Sequence, residues 1–496
     1  MFWLMATHFG LDGFPATSKL QQPEKQTAYA QQFDWLCRSW AIAGIFHFMT
    51  FHDWRWQGLS GLILICLAMA VLLRPKPALF ALFLAVDVFA VGSHTGPIPN
   101  HILFSLVMNI VMLGVLIVAL VREKLHATAD DARSRWVITV APIMRMAVSI
   151  LYFFTVFHKI NTAYFNPDVS CASTMLHEIG LMYPLMPTGG VFDQFAIYGT
   201  LLIEAFIPIL MLIPRTRLVG GVLALGFHAM LSLHPFPGIY SFTATIVSLL
   251  SWFVPAGFFT TFRPTAVARK VLMAIWFLCC GVVAMALLIG CVPALRGNLP
   301  TAGSIGFGIG YYGLLIYAVA ISVVYVQHAW RHPKDLTVFI ASPDSLTQRL
   351  WLACPLCVIL TLIGLQPYLG LRTRMCFSMF SNLQTEGGVG NHLLVPASMQ
   401  QTRWQQELVS VSTSTDPGIA KIAEHQHRIP MLELARRIRE SRAGYVTVFT
   451  FQNKSFKCVS GDDASLKVLP DLNAFQRRYL YFRSVGPDPS TVPCQW

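Results

Sequence analysis

Charge is what this chain has least of. Aspartate, glutamate, lysine and arginine make up 12% of its 496 residues, against roughly 25% in soluble domains. So few charges cannot clothe a water-facing surface of this size, which excludes an ordinary soluble enzyme. Patterned cysteine is missing too. Eleven cysteines are scattered without the repeated CxxC pairs of a zinc or iron–sulfur site. Cys354-Pro-Leu-Cys357 has redox spacing but falls inside an apolar helix. A thioredoxin-type pair needs a helix N-terminus and solvent access, so this one reads as structural. His228 and His234 are six apart, not at the i, i+4 spacing that puts two ligands on one helix face, and no metal is predicted. Residues 1–34 lack a basic start, a continuous apolar core and a small-residue cleavage site. No cleavable signal peptide is expected, and insertion falls to the first membrane helix. An inverted repeat of the transporter kind is not visible.

What is present is apolar length. Hydrophobic residues account for 55% of the chain and mean hydropathy is +0.56, the signature of an integral membrane protein. Runs of spanning length fall at roughly 35–52, 58–73, 77–94, 102–121, 136–157, 193–213, 217–234, 239–260, 270–291, 304–327 and 350–370. The second and third are short enough to pair as a hairpin, so the sequence predicts a mostly α polytopic bundle of nine to eleven transmembrane helices. Loops alternate in charge. Arg74-Pro-Lys76, Arg122 to Arg135, Arg215 to Arg217, Arg263 to Lys270 and Arg331 to Arg349 are basic; the alternate set holds only Lys159 and Arg296. The positive-inside rule places the basic set, and the N-terminus, in the cytoplasm. Four regions result: a cytoplasmic segment at 1–34, a transmembrane core at 35–260, further helices at 261–370 and an extracytoplasmic part at 371–496. The formal net charge of +12 sits mostly in short loops, where it sets topology; no nucleic-acid partner is expected, and the lipid bilayer is.

The same orientation gathers His47, His52, His94, His101, His158, His177, His228 and His234 at the outer helix ends, eight of the fifteen histidines. They share that side with His158-Lys159-Ile-Asn161, which follows directly on the apolar run Ile150 to Phe157. Lys159 has two readings. It snorkels its ammonium into the headgroups, or low water access favours its neutral, basic form and makes it a general base. Within the spans lie Asp87, Arg145 and Glu204, for which the simplest account is internal pairing of Arg145 with Glu204 or Asp87.

Three segments then stand in order: Asn100-His101-Ile-Leu-Phe-Ser-Leu; Tyr152 to Asn161, containing His158 and Lys159; and Phe227-His228-Ala-Met230 followed by Gly238-Ile-Tyr240-Ser-Phe242. Together, over about residues 30 to 260, they resemble the membrane domain of the vitamin K-dependent gamma-carboxylase family and the broader bacterial horizontally transferred transmembrane (HTTM) domain. Met379 to Gly388 with Asn391-His392 is similar to the segment after the last span in bacterial members. The resemblance implies a bacterial cell membrane and a reduced quinone, of vitamin K or menaquinone type, as the lipid-soluble cofactor. It implies Lys159 as the base toward that quinol, with His101 and His228 in support and Asn100, His158, Tyr152 and Tyr240 as cofactor-binding candidates. In that family, oxygen converts the deprotonated quinol to an epoxide and a glutamate γ-carbon is carboxylated, so a peptide or protein on the outer face is an implied partner. Two departures stand out. The animal enzyme's large lumenal domain has only the 371–496 tail in its place, and the Lys159 loop carries Cys171 and no tryptophan. A different class of function fits the same scaffold: a non-catalytic transporter, maturation factor or immunity factor, with Asp87, Arg145 and Glu204 lining a passage.

The tail predicts a small α+β domain. Met431 to Glu440 reads as an amphipathic helix opened by Pro430, its arginines forming a solvated face. Tyr445 to Phe451 alternates as a strand, Gln452 to Lys454 turns, Phe456 to Val459 supplies a partner and Tyr479 to Arg483 another strand. Cys376, Cys458 and Cys494, with Cys171 as a fourth, would share an oxidising space that permits one disulfide, whose partners the sequence leaves open.

Overall fold

The computed structural model describes residues 23–50, 59–94, 96–126, 132–213, 216–234, 236–254 and 343–486, with single positions at 316, 319, 323, 326, 327, 488, 492 and 494. The predicted spans at 270–291 and 304–327 lie outside the described residues, those single positions apart. The protein is mostly helical. Its membrane part comprises α1 (Pro23–Thr50), α2 (Leu59–Leu73), α3 (Pro77–Ser93), α4 (Asn100–His126), α5 (Ala132–Phe157), α6 (Cys171–Met182), α7 (Val191–Leu212), α8 (Arg217–Leu231), α9 (Pro237–Leu250) and α10 (Pro343–Leu369). Among the described residues, three stretches are long and apolar enough to cross a membrane, Asn100–Leu125, Ala132–Phe157 and Val191–Leu212, and five shorter apolar helices accompany them. This is an integral membrane protein. Helix α6 falls inside what the sequence presented as a loop between spans; Ser170 caps its first turn by accepting from the Ala172 N–H.

Helix α5 is the hub. It packs against α1, α4, α7 and α10, and Trp136 in its first turns is fully buried among Phe33, Phe80 and Trp252. Lipid tails are as apolar as leucine, so dense packing and interhelical hydrogen bonds hold such a bundle together. Gly364 of α10 sits directly on the Phe154 ring of α5, where a Cβ would collide. On α7, Phe195, Leu202, Phe206 and Ile209 are exposed, as suits a lipid-facing side.

Past Leu369 the chain turns at Gly370 (φ +78°) and lies across the end of α5. Phe377 enters the bundle core beside Phe104 and Phe154. Asn161 bridges His392, the Thr162 N–H donates to the Asn391 carbonyl at 3.0 Å and the Leu393 N–H to the Ile160 carbonyl at 2.9 Å. A small four-stranded antiparallel sheet follows: β1 (Leu408–Ser414), β2 (Arg428–Pro430), β3 (Val446–Phe451) and β4 (Lys454–Val459), in the order β2-β1-β3-β4. Its helices are α11 (Pro417–Glu424), α12 (Met431–Glu440), α13 (Asp463–Leu466) and α14 (Ala474–Tyr479). The β3–β4 hairpin turns on Gln452 and Asn453, both at positive φ, as a two-residue turn matched to strand twist requires. Leu434, Ala435 and Ile438 of α12 pack on Val409, Ile429 and Phe449.

Two expectations for this region are corrected. Tyr479 to Arg483 adds no strand to the sheet. Tyr479 ends α14, and the Tyr481 carbonyl accepts from the Thr373 and Arg374 N–H groups at 3.1 Å, so this stretch clamps the segment leaving α10. The arginines of α12 do not all face solvent either: Arg436 is buried, bonded to the fully buried Glu433 and stacked on Tyr481.

Candidate functional site

The Lys159 turn is built by its neighbours. Beyond Phe157 the helix tightens: the Lys159 N–H donates to the Val156 carbonyl at 3.0 Å and the Ile160 N–H to the Phe157 carbonyl at 3.1 Å. Asn161 locks the bend, donating from Nδ2 to the carbonyls of His158 (2.8 Å) and Ser381 (2.6 Å) and accepting the Tyr164 N–H at Oδ1 (2.9 Å). The segment opposite is held under strain. Met375, Phe377, Phe380 and Asn382 all have left-handed backbone conformations, which cost non-glycine residues roughly 1–2 kcal/mol each and persist where the surroundings impose them.

Lys159 does not snorkel. Its side chain is 4% exposed, and Nζ donates to Oε2 of Glu204 on α7, itself 9% exposed. The expected pairing of Glu204 or Asp87 with Arg145 is corrected by the same geometry. Asp87 accepts from Asn109 Nδ2 at 2.5 Å, and Arg145 donates its Nε to the Trp252 carbonyl at 2.9 Å. The Tyr164 ring lies 5.9 Å from Nζ. Tyr152 and Tyr164 are within electrostatic range of Glu204, and His158 and His228 within range of Lys159.

His228 is held by Tyr152, whose hydroxyl is 2.9 Å from Nε2. Nδ1 of His228 is buried with no hydrogen-bond partner. Phe242 separates His228 from His101, its ring centroid 5.2 Å from the first and 5.8 Å from the second. His101 bonds Ser241 (3.0 Å) and stands 5.4 Å from His47, which bonds Thr245 (2.7 Å). Two histidines, His101 and His228, therefore flank one aromatic ring, and His47 adjoins the first of them. The others do not join them. His158 gives Nε2–H to the Cys376 carbonyl (3.1 Å), since a carbonyl only accepts, leaving Nδ1 to accept from the Tyr368 hydroxyl (2.8 Å). His177 pairs with Asp193 (2.8 Å) and His234 with Glu178 (2.7 Å). His52 lies outside the described residues. Asn100 accepts the Phe377 N–H at Oδ1 (2.8 Å), and Tyr240 donates to the His234 carbonyl (2.8 Å); both bonds fasten chain segments. No group of three metal-ligating side chains occurs among the described residues.

The Cys171–Cys494 disulfide ties the Lys159 loop to the far tail. Asn382 reinforces it, accepting the Cys171 N–H at 2.7 Å and donating to the Val169 and Val492 carbonyls at 2.7 and 2.9 Å.

The tail has its own buried charges. Glu433 accepts from Arg436 (2.6 and 3.2 Å), Arg437 (2.8 Å) and the Phe482 N–H (3.3 Å). Burial alone would raise its pKa, but Arg436, Arg437 and Arg374 outweigh that and hold it below the ordinary carboxylate value. Burial brings Arg374 down to about 10, against the opposing pull of Glu433.

Sequence reasoning marked Glu204 as a charge in a span but missed its partner, and it missed Tyr164, Tyr368 and Glu178 altogether. No protein family, curated protein or solved structure matches this chain.

Proposed function

We propose that this protein is a membrane-embedded carboxylase-like enzyme that deprotonates a reduced quinone of the vitamin K or menaquinone type, with Lys159 as the base. The observation that carries the reading is a buried lysine at the end of a membrane helix whose ion-pair partner is a single buried carboxylate. A quinol soluble in the bilayer reaches such a position without crossing water. The side chains suit a phenolic ring. Nδ1 of His228 is an unspent buried polar atom, Phe242 and Tyr164 offer aromatic faces, and His101 stands across Phe242. His228, oriented by Tyr152, holds one ring oxygen, while Lys159 takes the proton from the hydroxyl. When bound, the quinol supplies the reaction with oxygen. Coupling to γ-carboxylation of a glutamate on an outer-face peptide is the extended form of this proposal.

The topology proposed with it puts Lys159 and the tail outside the cytoplasm of a bacterial cell. The Cys171–Cys494 disulfide supports that side, because disulfides persist in oxidising compartments. A reporter fused after Trp496 should be active only outside the cytoplasm. A second reading, a non-catalytic scaffold, is favoured by one fact: the Lys159–Glu204 pair also joins α5 to α7. The deciding experiment assays epoxide or quinone product from reduced menaquinone or vitamin K under oxygen, with the protein and its Lys159→Ala variant. Loss of turnover in the variant is expected; equal turnover would sink the base assignment, and no turnover with any quinol would favour the scaffold.

A further inference from the structure

We infer that Glu204, working through Lys159, is where the abstracted proton comes to rest. Lys159 is then a relay that stays behind as the counter-charge. The inference rests on the reading of Lys159 as the base toward a lipid-phase quinol, and it changes what that base is.

An ammonium that already holds its proton cannot accept another. Lys159 is found bonded to Oε2 of Glu204, and among the described residues that carboxylate is its only ion-pair partner. For Nζ to take a proton it must first lose one, and among the described residues one acceptor is bonded to it. His158 has both ring nitrogens engaged, by Tyr368 and the Cys376 carbonyl. His228 has its Nε2 engaged by the Tyr152 hydroxyl. Tyr164 presents its ring to the ammonium. Solvent is remote, with 4% of the lysine side chain exposed.

The step balances within the site. An N–H bond of Lys159 breaks as an O–H bond forms on Glu204, and the quinol O–H bond breaks as a new N–H bond forms on Lys159. Before the step the charges are one ammonium, one carboxylate and a neutral hydroxyl. Afterwards they are one ammonium, a neutral carboxyl and one negative oxygen facing the ammonium. No net charge is created in a water-poor site, where an unpaired ion costs several kcal/mol. The backbone gives the carboxylate room. Pro208 stands one turn after Glu204 in α7 and has no N–H, so the Glu204 carbonyl lacks its usual i+4 donor and the helix is loosened there.

Difference infrared spectroscopy tests this without turnover. Reduced menaquinone bearing a short tail is added to the detergent-solubilised protein without oxygen, and the carboxyl C=O stretch is followed. The band of a protonated carboxyl should appear in the parent, be absent in Glu204→Gln and return, displaced, in Glu204→Asp. Under oxygen, turnover should fall on the order of 100-fold in Glu204→Gln, the scale of a general acid–base group. Glu204→Asp should recover part of it with a displaced pH profile, which a merely structural acid would not produce. An intact Cys171–Cys494 disulfide checks that each variant is folded. Parental turnover and pH profile in Glu204→Gln, or normal turnover with no carboxyl band in the parent, would overturn the role of Glu204 and leave Lys159 standing. Absence of turnover with every quinol would remove the base reading and the relay together.

Discussion

Glu204 in the bundle and Glu433 in the tail are both buried carboxylates beside cations, and their surroundings are opposite. Glu433 is bonded by two guanidinium groups and a backbone N–H, with Arg374 close by. Glu204 has one ammonium. The first arrangement saturates the carboxylate's lone pairs and fixes its charge, which suits a joint: Arg436 also stacks on Tyr481, and the Tyr481 carbonyl clamps the chain leaving α10. The second gives the carboxylate a single charged partner among the described residues. Saturation distinguishes the two acids where burial does not, because both are buried.

The comparison breaks first at Glu433. Glu433→Ala leaves Arg436 buried without its main partner, and such losses cost about 3–5 kcal/mol. A fall of that size in the thermal unfolding of the tail is expected; an unchanged midpoint would show that the saturated network holds nothing. Acid sharpens the same point. The folded pKa of Glu433 is depressed, so its stabilisation is fully present above the unfolded value of about 4.3. It is lost as pH falls through the lower folded value. Unfolding midpoints measured across that acid range should drop in the parent and flatten in Glu433→Gln.

Smaller effects belong to the bundle. Tyr152→Phe strands Nε2 of His228, whose Nδ1 is already without a partner, at a cost of about 1–3 kcal/mol. The midpoint should fall, and quinol turnover with it; retention of both would remove His228 from the site. The least change in stability is expected from Lys159→Met combined with Glu204→Leu. Replacing a buried pair by apolar side chains of similar volume is often neutral or stabilising, so unfolding should stay within about 1 kcal/mol of the parent while turnover vanishes. A loss as large as that of Glu433→Ala would make the Lys159 pair a joint as well.

Membrane character was legible because apolar runs and sparse charge are properties of the sequence itself. The α12 helix and the β3–β4 hairpin were legible for a similar reason: Met431, Leu434 and Ile438 carry a helical period, and Gln452-Asn453 stands between alternating strands. The Lys159–Glu204 pair was not, because its members sit on different helices whose rotation is set by packing. Charge alone offered Arg145 as an equal partner. β1 left a trace in the alternation of Val409 and Val411, both buried; β2, at three residues, left none. Tyr479 to Arg483 misled because its bulky residues serve a clamp rather than a sheet. Loop charge assigned the histidines to one end of the bundle, but the placing of His101 and His228 on either side of Phe242, with His47 beside His101, depends on how α1, α4, α8 and α9 meet.

The disulfide also has a meaning in time. Cys494 lies 323 residues after Cys171. At roughly 5–20 residues per second, a ribosome has already delivered the Lys159 loop for about 15 to 65 seconds before the strap's other end exists. Throughout that interval Cys171 lacks the partner it has in the folded chain. A chain stopped short of Cys494 would hold its described helices yet carry an unsealed loop, and maleimide labelling of Cys171 in ribosome-stalled chains should report it; a Cys171 that resists labelling before Cys494 is made would show that the loop is sealed by other means. Closure of this one bond thus reports that the chain has been made as far as Cys494, beside the Lys159 turn.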